Sequence, residues 1–145
     1  MAKKGGWWGR SCTVDLHNCD KNLLTNPKAI EMYIHQLCKV LKMKRHGPTR
    51  IDCFGSGKLK GWSAMQFIET SSITVHCDEF GNRAFIDIFS CKKYGPKPVI
   101  IFSKKYFKAK MVSTSVEESK YLLFLSYPIN SIPSSVLTEL FLLEK

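Results

Sequence analysis

Hydrophobic positions along the chain change period several times, and each change marks an element. Residues 10–16 alternate between polar and apolar side chains, the period-two pattern of a strand with one buried face. Asn18-Cys19-Asp20-Lys21-Asn22 has the composition of a turn. Beyond it Asn26 is placed to cap a helix and Pro27 suits its first turn. Ile30, Tyr33, Ile34, Leu37, Cys38 and Leu41 then recur at helical spacing. His46-Gly47-Pro48 is expected to end that element. Short β-like runs follow at 50–54, 62–68, 72–77 and 84–89, separated by Gly55-Ser56-Gly57, Glu69-Thr70-Ser71 and Glu79-Phe80-Gly81-Asn82. Strands spaced this closely pair as antiparallel hairpins.

Alternation assigns faces. Ile73 and Val75 are expected on one side, Thr74 and His76 on the other. Phe85, Asp87 and Phe89 oppose Ile86 and Ile88. Residues 99–107 fit two patterns. Val99, Phe102, Tyr106 and Phe107 form a helical stripe, while the β-branched cluster suits a strand. Residues 111–115 read as a closing strand, and 134–143, after Pro128 and Pro133, as a short helical pattern. The sum is an α/β (α+β) fold, a two-layer sandwich of an antiparallel sheet with two helices on one face.

Composition bounds this picture. A chain of 145 residues suits one compact domain that needs no metal or disulfide staple. With 44% hydrophobic and 23% charged residues it is ordinary globular material rather than a disordered chain. No apolar run approaches the roughly 20 residues of a membrane span. The start, Met1-Ala-Lys-Lys-Gly-Gly-Trp-Trp, lacks the apolar stretch of a secretory signal, so the expected address is cytoplasmic. Cysteines 12, 19, 38, 53, 77 and 91 form no Cys-x2-Cys pair and no zinc-finger spacing, which points to reduced thiols and no metal site.

Lys and Arg outnumber Asp and Glu by 22 to 12, a formal charge of +10. Basic residues cluster at Lys39, Lys42, Lys44 and Arg45, and again at Lys104, Lys105, Lys108 and Lys110. Trp7, Trp8, Tyr94 and Tyr106 are interleaved with them, so a nucleic-acid module enters as a second class. No recognition motif accompanies the charge, and solvated helix faces account for most of it. Nucleic acid is therefore the disfavoured partner.

Ser63, Ser71, Ser72, His76 and Cys91 carry the candidate chemistry. A serine hydroxyl between two strands can attack the preceding carbonyl when a base is aligned with it. By spacing alone, a serine pair in a turn and a histidine on a strand surface explain the same residues.

The segment Glu69-Thr70-Ser71-Ser72-Ile73-Thr74-Val75-His76, followed by Ala84-Phe85-Ile86-Asp87-Ile88-Phe89-Ser90-Cys91, resembles the core of the small prokaryotic S-adenosylmethionine decarboxylase proenzymes. The Ser-x4-His and His-x14-Cys spacings both match. Val14-Asp15-Leu16-His17-Asn18-Cys19-Asp20 resembles the family's opening strand, and Gly61-Trp62-Ser63-Ala64 its approach to the cleavage site. The implied domain is 1–118, self-cleaved between 70 and 71, with 119–145 as an extension that matches nothing in the family pattern.

The resemblance implies a pyruvoyl enzyme. Ser71 would attack the Thr70 carbonyl, and elimination of the resulting ester would leave a pyruvoyl group at position 71, with Ser63 and His76 assisting. The substrate amine would form a Schiff base with that carbonyl, and Cys91 would return a proton after CO2 leaves. No metal and no pyridoxal phosphate are implied. Phe54 and Glu79 are the implied substrate contacts, and a homodimer of processed protomers the implied active unit. S-adenosylmethionine is the expected substrate, for spermidine synthesis. The sequence departs from the familiar pattern at Thr70, where Glu is usual, at Ser72, often His, and at Asp78-Glu79-Phe80, where Trp-Pro-Glu is usual. These departures leave open a pyruvoyl decarboxylase of arginine or ornithine, or a non-enzymatic binding or regulatory homologue.

Overall fold

A computed structural model describes residues 6–120. Strand β1 (Trp7–His17) opens the chain and is followed by a one-turn helix α1 (Lys21–Leu24) and by α2 (Pro27–Val40). Next come β2 (Arg45–Phe54), a short 3-10 turn (Gly57–Leu59), β3 (Gly61–Ile68), β4 (Ser71–Asp78) and β5 (Arg83–Ser90). Helix α3 (Pro96–Tyr106) and strand β6 (Met111–Lys120) complete it. The strands form one six-stranded sheet in the order β2-β3-β4-β5-β1-β6, and every neighbouring pair is antiparallel.

Local chemistry explains the elements. Asn26 accepts hydrogen bonds from the Lys28 and Ala29 amides, satisfying donors that the first turn of α2 leaves free. Ile30, Tyr33, Ile34, Leu37 and Cys38 form its buried stripe. The turn expected at 18–22 leads into α1, which Asp20 caps through the Asn22 amide. Residues 99–107 are helical. Pro96 and Pro98 open α3, where missing amides cost least, and Val99 and Ser103, four apart, are its buried positions.

Alternation divides the sheet as the sequence predicts. Cys12, Val14, Leu16, Ile73, Val75, Cys77, Ala84, Ile86 and Ile88 are buried on one face, where α2 and α3 pack. Tyr33 and Phe107 anchor the interface, and the Tyr33 hydroxyl bonds the buried Ser103 hydroxyl at 2.6 Å. The opposite face carries Ser63, Met65, Phe67, Thr74, His76, Phe85, Asp87 and Phe89, and no helix covers it among the described residues.

Two boundaries differ from expectation. Helix α2 ends at Val40, and His46-Gly47-Pro48 lies inside β2. An edge strand tolerates a proline there because one row of its amides has no ladder partner. The register shifts between His46 and Arg50, a bulge that Gln66 fills. Gln66 is fully buried; its amide donates to the His46, Gly47 and Phe67 carbonyls and its oxygen accepts from the Thr49 hydroxyl. The closing strand runs past 115 to Lys120. The helical pattern at 134–143 lies outside the described residues.

Candidate active site

The residues singled out by sequence fall into two groups, at opposite ends of β4. The first surrounds the β3–β4 turn. Ile68 pairs with Ser71, leaving Glu69 and Thr70 as the loop. Neither loop residue has a positive φ, whereas Ser71 has φ 147°. Two-residue hairpins usually place positive φ within the loop itself, on Gly or Asn. Here the unfavourable conformation falls on the serine that follows, in a region that side chains rarely occupy. The Cys91 amide donates to the Thr70 carbonyl at 3.0 Å. The exposed Cys91 follows Ser90, which pairs across the ladder with Ser71. Thr70, Ser71, Ser90 and Cys91 are thus brought together by one register.

The second group lies five residues along β4, about 16 Å away at the usual rise of a strand. Ser63 and His76 are directly opposed in the β3–β4 ladder, and Ser63 Oγ lies 2.6 Å from His76 Nδ1. The His76 ring sits between Phe54 and Phe85, with centroids 6.4 Å away on each side. Phe54 is exposed. Gly61 lies beneath this stack, and a Cβ there would come within 2.2 Å of the Cys77 carbonyl oxygen. Glu79 is half-buried and bridges to Lys60 at 3.5 Å, so its carboxylate is already engaged.

A cavity of about 590 Å³ opens on the uncovered face around this second group. Ser63 and His76 line it with Arg50, Asp52, Thr74 and Asp87. Partial burial pushes the Asp87 carboxyl above its usual range, the nearby Asp15 adds to this, and a hydrogen bond from Thr74 opposes it. The cavity therefore offers one guanidinium, two carboxylates and the His76 imidazole. Sequence reasoning missed Arg50 and Asp52, because the bulge at 47–49 decides which β2 side chains reach this face. It also missed Ser90. The available signal was a polar residue in the apolar column of Ile86 and Ile88.

Among the described residues, no group of His, Cys, Asp or Glu is arranged to hold a metal, and no helix is long and apolar enough to cross a membrane.

The sequence profile of S-adenosylmethionine decarboxylase matches residues 10–119, which contain both groups. The chain belongs to the S-adenosylmethionine decarboxylase family. It is an enzyme of the adenosylmethionine decarboxylase type. The crystal structure of the adenosylmethionine decarboxylase from Aquifex aeolicus VF5 has the same fold, with a TM-score of 0.70 at 14% identity. That match covers 81% of this chain and 94% of the Aquifex one. No curated protein matches the sequence.

Proposed function

We propose that this decarboxylase cleaves itself between Thr70 and Ser71 and uses the pyruvoyl group so formed to decarboxylate S-adenosylmethionine, supplying the aminopropyl donor of spermidine synthesis. The observation that carries this reading is the state of the Thr70–Ser71 peptide. Its carbonyl receives the Cys91 amide at 3.0 Å, and its serine holds an unfavourable φ of 147°. A hydrogen bond from a fixed backbone amide stabilises the negative charge that develops on a carbonyl under attack. Strain at the serine is relieved when the peptide bond becomes an ester.

Ser71 Oγ bonds to the Thr70 carbonyl carbon, the C–N bond breaks, and an ester with a free amine at 71 results. Removal of the Ser71 α-proton then expels the Thr70 carboxylate from Cβ. The remaining enamine tautomerises to an imine, takes up water and releases ammonia. Thr70 in place of Glu does not obstruct this, because the attacked atom belongs to the backbone. A pyruvoyl carbonyl supplies an electron sink for loss of CO2 from an attached amine, without metal or pyridoxal phosphate. Cys91, exposed just past the end of β5 where Ser90 pairs with Ser71, is the proton donor to the substrate carbon. In the cavity, Asp52 and Asp87 suit a cationic sulfonium and Arg50 a carboxylate, and the exposed Phe54 ring beside His76 suits a flat base.

His76 lies too far along β4 to reach Ser71 of its own chain. General bases act within hydrogen-bond reach, about 3 Å. We infer a homodimer that packs the uncovered sheet faces together, so that the Ser71 end of one protomer meets His76 and Ser63 of the partner subunit. Exposed Met65, Phe67 and Phe54 on that face support such packing. The domain is taken as residues 1–118, with 119–145 as an extension.

Intact mass under denaturing conditions tests the reading. Two chains split at 70/71 are expected, the C-terminal one lighter by one ammonia than hydrolysis would leave it. Release of labelled CO2 from S-adenosylmethionine, and not from arginine or ornithine, then fixes the substrate. A single uncleaved chain after prolonged incubation would overturn the reading.

A further inference from the structure

One buried hydroxyl stands out on the helix-covered face. In β5 the residues Ile86, Ile88 and Ser90 share that face, and Ser90 is fully buried. A small apolar residue would continue the column. The Ser90 hydroxyl is instead satisfied in both directions. It accepts the Lys92 amide at 3.0 Å and donates to the Thr70 hydroxyl at 2.8 Å. The Cys91 amide, between those two bonds in sequence, donates to the Thr70 carbonyl. Thr70 is thus held twice, by its side chain on Ser90 and by its carbonyl on the next residue.

We propose that Ser90 is a positioning residue for self-cleavage, which clamps Thr70 through its hydroxyl and thereby keeps the scissile carbonyl on the Cys91 amide. The inference rests on the self-cleavage proposed above and deepens it. The physical need comes from the turn. A non-glycine residue at φ 147° relaxes if the peptide before it is free to rotate. Rotation of that peptide takes the Thr70 oxygen off the Cys91 amide. The side chain of Thr70 is β-branched and stiff at χ1, so fixing its hydroxyl also limits its backbone. Ser90 thus opposes the relaxation that would discharge the strained geometry. The two hydroxyls belong together, since a threonine at the cleavage site gives Ser90 a short acceptor that a longer acidic side chain would not place there.

A time course of cleavage in freshly translated full-length protein tests this. It compares the wild type with Ser90→Ala, Ser90→Thr, Thr70→Val and Thr70→Ser. Removing either hydroxyl should slow cleavage about tenfold or more, the scale expected when a reacting group is misplaced by a fraction of an ångström. The uncleaved chain should resist hydroxylamine, which shows that the acyl shift is slowed before any ester forms. Ser90→Thr and Thr70→Ser keep the hydroxyls and should cleave within about threefold of wild type. The double variant Ser90→Ala/Thr70→Val should be no slower than the worse single one, because both remove the same bond. Once cleaved, Ser90→Ala chains should decarboxylate at nearly the wild-type rate per processed chain.

If Ser90→Ala and Thr70→Val cleave at the wild-type rate while their melting temperatures fall, the hydroxyls are only structural and the clamp is refuted. Thr70→Val, at a half-buried turn, keeps the test available if Ser90→Ala misfolds. A wild type that never cleaves removes the clamp together with the self-cleavage reading. A wild type that cleaves alongside equally fast variants removes the clamp alone.

Discussion

The separation of Ser71 from His76 predicts complementation between two inactive variants. Five strand residues place them about 16 Å apart, whereas proton transfer needs contact within about 3 Å. On the proposed mechanism, Ser71→Ala lacks the nucleophile and His76→Ala lacks the base. In a dimer of one copy of each, one site combines intact Ser71 with intact His76, and the other site has neither. Random pairing gives half mixed dimers with one good site of two, so about a quarter of the wild-type sites are restored. Co-expression with two different tags, followed by purification through both, isolates the mixed dimer. Denaturing mass spectrometry should then show the His76→Ala chain cleaved and the Ser71→Ala chain whole. Each variant expressed alone should be uncleaved. An uncleaved mixed dimer, beside a doubly tagged wild type that cleaves, would refute the shared site. So would normal cleavage of His76→Ala alone.

Other outcomes follow from single residues. Ser71→Ala should abolish cleavage and CO2 release together, whereas Cys91→Ala should still cleave and lose most decarboxylation, as read by denaturing gel and labelled CO2. Burial pushes the Cys19 thiol up to about 11 and Cys77 up to about 12, so neither ionises at pH 8. Native alkylation at that pH should modify Cys91 and Cys53 and spare those two, which peptide mapping would show. Burial pushes the Asp78 carboxyl up, but Arg83 and the Gly81 and Phe80 amides outweigh it and hold the group below its ordinary range. Its contribution to stability is present above the unfolded value, near pH 4, and is lost as pH falls through the lower folded value. Asp78→Ala should cost about 2 kcal/mol at pH 7 by chemical denaturation, and less in strong acid. An equal cost at both extremes would contradict that linkage.

The β-strand at 72–77 was legible because one face is packed by helices and the other is not, so its polarity alternates strictly; at 84–89 the aliphatic Ile86 and Ile88 against Asp87 and two phenylalanines carried a weaker form of the same signal. Helix α2 was legible from its cap and stripe. Residues 99–107 were ambiguous because Val, Ile and Phe satisfy either period, and only the prolines that open α3 and its shallow buried stripe decide for a helix. The bulge in β2 could not be read from the sequence. Gly47-Pro48 looks like a terminator, and its accommodation depends on an edge position and on Gln66, some twenty residues later. The motif groups Ser71, His76 and Cys91 by nearness in sequence. Strand geometry keeps Ser71 with Cys91, through the Ser71–Ser90 pairing, and carries His76 away to Ser63. The Ser90–Thr70 contact depends on that same register, which hydrophobic patterning leaves unspecified.

The strand order constrains when the proposed self-cleavage could take place. A break after Thr70 assigns β1, β2 and β3 to one piece and β4, β5 and β6 to the other. In the sheet these interleave, because β1 of the first piece lies between β5 and β6 of the second. Neither piece contains a continuous sheet or the whole helical layer. A break there would therefore have to follow folding, since neither piece alone holds a complete layer. Afterwards the two pieces can part only by tearing two full ladders as well as the hairpin. Once unfolded, a cleaved molecule would have to reassemble from two chains, so its loss of structure would depend on concentration in a way the intact precursor's would not.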